Sequence, residues 1–281
     1  MAQPKVCAGK IVRLDSFPSL NVAARNVDIW LPPNYDEHKK YPVLYMHDGQ
    51  MLFDSTTTWN KQEWQIDEVA TNLIKQKKLR PFIVVGVWNN GKYRHAEYYP
   101  EQALNYLSDS TKQQLIQKDL MGKPLADAYL KFLVEELKPY VDKHFATLPN
   151  KANTFIAGSS MGGLISMYAI CQYPKVFSVA ACISTHWIGS INFKGTELPN
   201  AFMQYLKNQL PAPQNHAIYF DYGTVTLDSL YPAWQAKADV IMKAKGYTKK
   251  NWITKAFVGE AHTEVAWAKR LDIPLLFLLK Q

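Results

Sequence analysis

The sequence predicts an α/β fold: a central, mostly parallel, eight-stranded sheet with helices on both faces. Three observations lead there. Short β-branched or aromatic runs alternate along the chain with longer stretches at helical spacing, the pattern of repeated strand and helix units. Two of the runs, 82–88 and 178–183, are apolar almost throughout, as strands covered on both faces must be. Apolar residues make up 47% of the 281 and charged residues 20%, enough for one sizeable core. No linker divides the chain, so a single domain over 1–281 is expected.

The strands expected in order are 10–17, 26–31, 42–47, 82–88, 154–157, 178–183, 217–221 and 252–258. No helix fits between the first two, so they should form an antiparallel hairpin at one edge. The clearest helix is 125–145, with Leu125, Ala128, Phe132, Leu133, Leu137, Tyr140 and Val141 at three- and four-residue steps. Pro139 should kink or shorten it. Pro232 suits the first turn of another helix and Gly246 its C-terminal cap. The apolar stretch 275–279 reads as a buried C-terminal helix, since a membrane span needs ~18 residues. Segments 89–123 and 185–213 fit no strand or helix cleanly. They are read as insertions above the sheet, where specificity loops sit.

The formal charge of +8 and pI near 9.1 raise the question of an acidic partner. The basic residues are spread out, with short runs only at Lys77-Lys78 and Lys249-Lys250, and no nucleic-acid motif accompanies them, so solubility is the simpler reading. Cys7, Cys171 and Cys182 show no CxxC spacing, which argues against a zinc site; one disulfide is compatible with them. The start Met1-Ala2-Gln3-Pro4 lacks the layout of a signal peptide. It also fits an exported chain whose signal was replaced by a methionine, and a periplasmic or secreted location is favoured over the cytoplasm.

Gly158-Ser159-Ser160-Met161-Gly162 carries G-x-S-x-G directly after a strand and before a helical stretch, the context in which a nucleophilic serine sits on a tight strand-to-helix turn of an α/β-hydrolase fold. The five-residue pattern alone arises by chance in about one chain of this length in ten. Its register with strand, extra Gly163 and helix is what gives it weight. Ser159 lacks the flanking glycine pair and reads as a packing residue. A reactive serine needs a base, and in this fold the order along the chain is serine, acid, histidine. Of seven histidines, His262 alone follows the last strand. His47 ends a strand and His186 follows one, so both are placed to line a cleft without being the base. The acid should come from the loop after the seventh strand, where Asp228 is preferred to Asp221 because it lies out on the loop. Backbone amides must hold the oxyanion: Met161 supplies one, and the turn His47-Asp48-Gly49-Gln50 supplies the other through Gln50. The Asp48 side chain either binds substrate or braces that turn.

The stretch Tyr41-Pro42-Val43-Leu44-Tyr45-Met46-His47-Asp48-Gly49-Gln50-Met51-Leu52-Phe53-Asp54, taken with Gly158-Ser159-Ser160-Met161-Gly162-Gly163 and Gly259-Glu260-Ala261-His262, resembles the esterase family related to esterase D and enterochelin esterase. The likeness runs from about Asn26 to the C-terminus. It implies the α/β-hydrolase fold, with the nucleophile at Ser160, the base at His262, the oxyanion amides at Gln50 and Met161, and the acid at Asp228 after the Gly223-Thr224 pair. It does not choose among feruloyl, acetylxylan, S-formylglutathione and siderophore esters, or mycolyl transfer. Trp88, Tyr93, Tyr98, Tyr99 and Trp187 add aromatic surface to the two insertions, and Trp88 and Trp187 are taken as substrate-binding residues. Lys92 and Arg94 would suit an acidic ligand. A serine esterase acting through an acyl-enzyme is expected, with a small-molecule or carbohydrate ester as partner and no metal or organic cofactor. An acyltransferase, a siderophore-ester hydrolase or a non-catalytic binding protein on the same fold are the alternatives.

Overall fold

A computed structural model describes residues 3–279. Met1 and Ala2, part of the start read above for a signal layout, lie outside the described residues, as do Lys280 and Gln281. The strands are β1 (Lys10–Phe17), β2 (Arg25–Leu31), β3 (Val43–His47), β4 (Ile83–Val87), β5 (Thr154–Ser159), β6 (Val179–Ile183), β7 (Ala217–Gly223) and β8 (Trp252–Phe257). They form one eight-stranded sheet in the order β1-β2-β4-β3-β5-β6-β7-β8. β2 pairs antiparallel with β1 and β4, and every other pairing is parallel. This is the expected α/β-hydrolase arrangement with its antiparallel edge.

β3, β4, β5 and β6 are buried at every residue. Alternate side chains therefore enter two separate cores. Leu44, Met46, Val84, Phe155 and Ala181 pack on one face with helices Ile66–Lys75 and Asp272–Leu279. Tyr45, Val85, Ile156, Cys182 and Phe220 pack on the other, under Met161–Gln172, Glu197–Gln209 and the 126–144 helix. All three cysteines are free, Cys7 exposed and the other two buried. No helix among the described residues is long and apolar enough to cross a membrane.

Two expectations need correction. Helix 125–145 is continuous but not uniform: Ala126–Lys131 and Lys138–His144 are α-helical, and Phe132–Leu137 between them is π-helical. Pro139 has no N–H for the Glu135 carbonyl and its ring crowds that oxygen, and the widened turn ahead of it relieves the clash. Segment 185–213 is not simply an insertion, because Glu197–Gln209 is a 13-residue helix with Leu198, Phe202, Tyr205 and Leu206 buried. Pro199 falls in its first turn, which a helix tolerates. Segment 89–123 is folded into short helical turns and the longer helix Asp109–Lys118.

That segment is anchored from below. Arg25 on β2 donates to both Glu97 oxygens at 2.8 and 2.6 Å, with both residues buried and the guanidinium 5.2 and 5.1 Å from the Tyr129 and Phe132 rings. Removing one partner of a buried ion pair strands the other charge, which typically costs about 3 to 5 kcal/mol. Glu97→Gln should therefore lose about 3 kcal/mol of stability in urea unfolding. An unchanged midpoint would show that the pair anchors nothing.

Candidate active site

The segments that follow β3, β4, β5 and β8 enclose a cavity of about 520 Å³ lined by Ser160 and His262 together with Asp48, Gln50 and Arg94. Ser160 ends the β5 turn with φ 58° and ψ −122°, a backbone conformation that L-residues rarely adopt. Three main-chain bonds hold it there: its N–H donates to Ile183 O at 2.9 Å, and its carbonyl accepts from Leu164 and His186 at 3.1 and 3.2 Å. The turn closes only because two glycines meet. A Cβ at Gly158 would lie 2.7 Å from the Gly162 backbone.

His262 sits in the loop after β8. Its Nδ1 lies 2.5 Å from Asp228 Oδ1, and its ring stands edge-on to Trp267 at 5.0 Å and to Tyr231 at 5.9 Å. The Asp228 carboxylate has no exposed surface. Its second oxygen accepts from Ser184 Oγ at 2.6 Å and from the Gly223 N–H at 2.5 Å. Burial alone would raise its pKa, but the bonds from His262 and Ser184 outweigh that and hold it below the ordinary carboxylate value. Gly223 has a second role here, since a Cβ would lie 2.1 Å from Glu260 O and push away the His262 loop.

Asp221, the rival acid, is occupied elsewhere. It is fully buried, receives Arg270 NH2 at 3.1 Å and the Tyr219 hydroxyl at 2.9 Å, and is not in the cavity. Arg270 and Trp267 each also donate to Ser184 Oγ at 3.0 Å. Ser184 thus joins the two aspartates into one network. Sequence reading missed Ser184, Trp267 and Arg270, although the position of Ser184 just past a strand end was a usable signal.

The turn after β3 packs against the head of helix Met161–Gln172: a Cβ at Gly162 would be 3.4 Å from both Asp48 Oδ2 and His47 Cβ. Gln50 lies in the helical turn Gly49–Met51, and its side-chain Oε1 accepts from the Asn89 N–H at 3.2 Å. Met161 opens its helix, so its N–H is among the four with no intrahelical acceptor. Asp48 adopts a left-handed conformation (φ 57°) and its carboxylate takes Arg94 Nε and NH2 at 2.7 Å each, with Asn89 Nδ2 also at 2.7 Å. Burial opposes its charge but Arg94 and Asn89 prevail, and its pKa is lowered. Asp48 borders the cavity with its oxygens already engaged, as a brace of the turn.

The aromatic expectations are corrected. Trp187 is fully buried, donates to Gln235 Oε1 at 2.8 Å and packs on Phe220, because helix Pro232–Ala244 brings Gln235 down over it. Trp88 reaches across to β2, where its indole N–H donates to Asp28 Oδ2 at 2.7 Å with Arg13 over the ring, and it does not line the cavity. The walls come instead from Trp59, Trp64, Trp267 and Met51. Trp59 is 84% exposed at the rim, and the Asn60 amide ties its loop to Glu264 at 3.0 Å. His47 and His186 are buried as well, each with Nδ1 on a tyrosine hydroxyl, Tyr129 at 2.8 Å and Tyr231 at 2.7 Å. Among the described residues, Cys7, Asp67 and Glu68 place ligand atoms within 4.8 Å of one another, as a metal would require. None of the three lines the cavity.

The Esterase family model, described as "Putative esterase", matches residues 23–275. An endo-1,4-beta-xylanase/feruloyl esterase of Xylanibacter ruminicola is 28% identical over 94% of this chain and 30% of its own length. A Bacillus subtilis protein, YbbA, is 28% identical over 58% of each. The chain thus spans well under two thirds of both relatives. Among solved structures, a ferulic acid esterase superposes with TM-score 0.69 at 18% identity over 97% of this chain and 98% of its own. The enterobactin esterase of Shigella flexneri gives 0.65 at 18% over 98% and 60%. These likenesses share the fold.

Burial lowers the pKa of His47 from 6.5 to about 3, and burial, reinforced by the nearby His262 and His95 imidazoles and the Arg94 guanidinium, does the same to His186. In the window from 6.5 down to about 3 the unfolded chain binds these protons and the folded one does not. Their contribution to stability is therefore intact above 6.5 and lost as pH falls, at about 1.4 kcal/mol per pH unit for each. His47→Gln should flatten the pH dependence of urea unfolding between about pH 6 and pH 4 by about that amount. An unchanged slope would mean that His47 is protonated in the folded protein.

Proposed function

The chain belongs to the Esterase family, and on that premise we propose that it is a serine carboxylic-ester hydrolase working through an acyl-enzyme, with residues 1–281 acting as one catalytic domain. One observation carries the reading. The backbone-strained Ser160 and His262 line the same cavity, and the imidazole's other nitrogen is fixed on a buried carboxylate. In this reading Ser160 Oγ attacks the ester carbonyl and passes its proton to His262 Nε2. Asp228 holds the ring by Nδ1 and stabilises the imidazolium. The Gln50 and Met161 amides take the negative oxygen of the tetrahedral intermediate. Its collapse expels the alcohol, which leaves with the proton from His262. Water then enters by the same route in reverse and frees the acid. Such a sequence needs no metal or organic cofactor.

The cavity suits an acylated carbohydrate. The exposed indole of Trp59 offers flat apolar surface at the rim, and the amides of Asn60, Gln62 and Asn89 offer hydrogen bonds beside it. The names of the xylanase/feruloyl esterase and ferulic acid esterase relatives point the same way. A siderophore or other acidic ligand is disfavoured, since both oxygens of Asp48 already occupy the Arg94 guanidinium.

Two variants test the roles. Against nitrophenyl acetate and a feruloylated sugar, Ser160→Ala should lower kcat by at least about 10⁴-fold. Asp228→Asn should lower it about 10³ to 10⁴-fold by releasing the wrong imidazole tautomer. A Ser160→Ala protein as fast as the wild type ends the proposal, and an unimpaired Asp228→Asn removes Asp228 from it.

A further inference from the structure

The segment before β1 crosses the first turn of helix Ile66–Lys75 on a fixed path. The Lys5 N–H donates to Asp54 Oδ2 at 2.9 Å, the Cys7 N–H donates to Asp67 Oδ2 at 2.7 Å, and the Ala8 carbonyl accepts from the Trp30 indole at 2.8 Å. Gly9 follows with φ 79°, and a Cβ there would lie 2.4 Å from Leu31 O. Cys7 is thereby held from both sides. Its Sγ and one carboxylate oxygen each of Asp67 and Glu68 lie within 4.8 Å of one another. None of the three residues borders the cavity at Ser160.

The two carboxylates stand out by their unpaired oxygens. Asp67 is 0% exposed, yet its Oδ1 has no hydrogen-bond partner, and the buried Glu68 Oε2 has none either. Thr71, one turn on from Asp67 on the same helix face, is buried with its Oγ1 unpartnered as well. Among the described residues, neither carboxylate forms a salt bridge. Acidic side chains are favoured in a first helical turn by the helix dipole, but that attraction gives a sealed oxygen no partner. A carboxylate shut away from water keeps its charge against a donor or a cation, and Oδ1 of Asp67 faces a second carboxylate and a thiol instead.

We propose that Cys7, Asp67 and Glu68 form a binding site for a zinc-type divalent ion, which staples the segment before β1 to helix Ile66–Lys75. Four-coordinate zinc takes sulfur at about 2.3 Å and carboxylate oxygen at about 2.0 to 2.2 Å, so its ligand atoms stand on the order of 3.5 Å apart. Atoms already within 4.8 Å reach that spacing by small side-chain rotations. The sulfur selects the metal, since calcium and magnesium take oxygen ligands whereas a thiolate beside carboxylates suits zinc. Binding releases the thiol proton to solvent, and water completes the coordination from the exposed side of Cys7. The site is structural and independent of the ester hydrolysis proposed above.

Metal-free protein titrated with Co²⁺ under reducing conditions should bind one ion per chain and show a near-ultraviolet thiolate-to-cobalt charge-transfer band, which Zn²⁺ should abolish by displacement. Cys7→Ser, at an exposed position, should lack the band, and Asp67→Asn should raise the Kd for Zn²⁺ at least about tenfold. Free Zn²⁺ about a hundredfold above Kd should raise the wild-type Tm by on the order of 5 °C and leave that of Cys7→Ser unmoved. Absence of the band in the wild type overturns the proposal. Wild-type Zn²⁺ affinity in Asp67→Asn also overturns it, leaving an adventitious ion on the thiol only. If Asp67→Asn does not fold, Glu68→Gln is read in its place by the same criterion.

Discussion

A carboxylate shut away from water keeps its charge only if its oxygens are occupied. Asp228 meets that condition with bonds from three separate parts of the chain: His262 after β8, Ser184 after β6 and Gly223 at the end of β7. Each bond limits where its own segment can lie. Ser184 in turn is shared with Trp267 and Arg270, and Arg270 neutralises the second buried acid, Asp221. The network thus fixes the histidine loop relative to two strand ends, and it does so from below the cavity, leaving the imidazole edge open to it.

Strained backbone recurs at this network and at the neighbouring turns. Ser160, Ser184, Thr226 and Asp48 all have positive φ without being glycine. Such conformations cost of order 1 to 3 kcal/mol each and persist where the surroundings over-determine them. Here the surroundings are visible: Ser160 is held by three backbone bonds, Asp48 by Arg94 and Asn89, and the Thr226 Oγ1 accepts the His262 N–H at 2.9 Å. The sheet beneath these loops is packed on both faces by filled cores.

The sheet was legible in the sequence because a strand buried on both faces announces itself as an unbroken apolar run, as at β4 and β6. The positions of Ser160 and His262 were legible because the α/β-hydrolase topology fixes their order along the chain. What lies around them was not. Trp88 and Trp187 both sit just past strand ends, where a cleft would be expected, yet Asp28 and Gln235 capture their indole N–H groups and turn them away from it. Those partners are remote in sequence, so no local pattern shows them. The loop 59–64, whose Trp59 and Trp64 form the walls, carries no periodic signal at all. Tyr231 reads as an ordinary residue before a helix-starting proline, and only the folded chain brings its ring edge-on to His262. Helix Glu197–Gln209 was obscured by Pro199, and the π-helical turn before Pro139 depends on hydrogen-bond geometry that spacing does not encode.

The central claim is that Ser160 forms a covalent bond with the acyl group of its substrate. It is tested most directly by acid-quenching the protein during turnover of an activated ester and mapping the mass increase by peptide sequencing. The account predicts one acyl group on the peptide that bears Ser160, attached at that residue and lost on return to neutral pH. Steady turnover with an acyl group on another residue, or with none on any peptide under conditions that trap ester adducts, would contradict it.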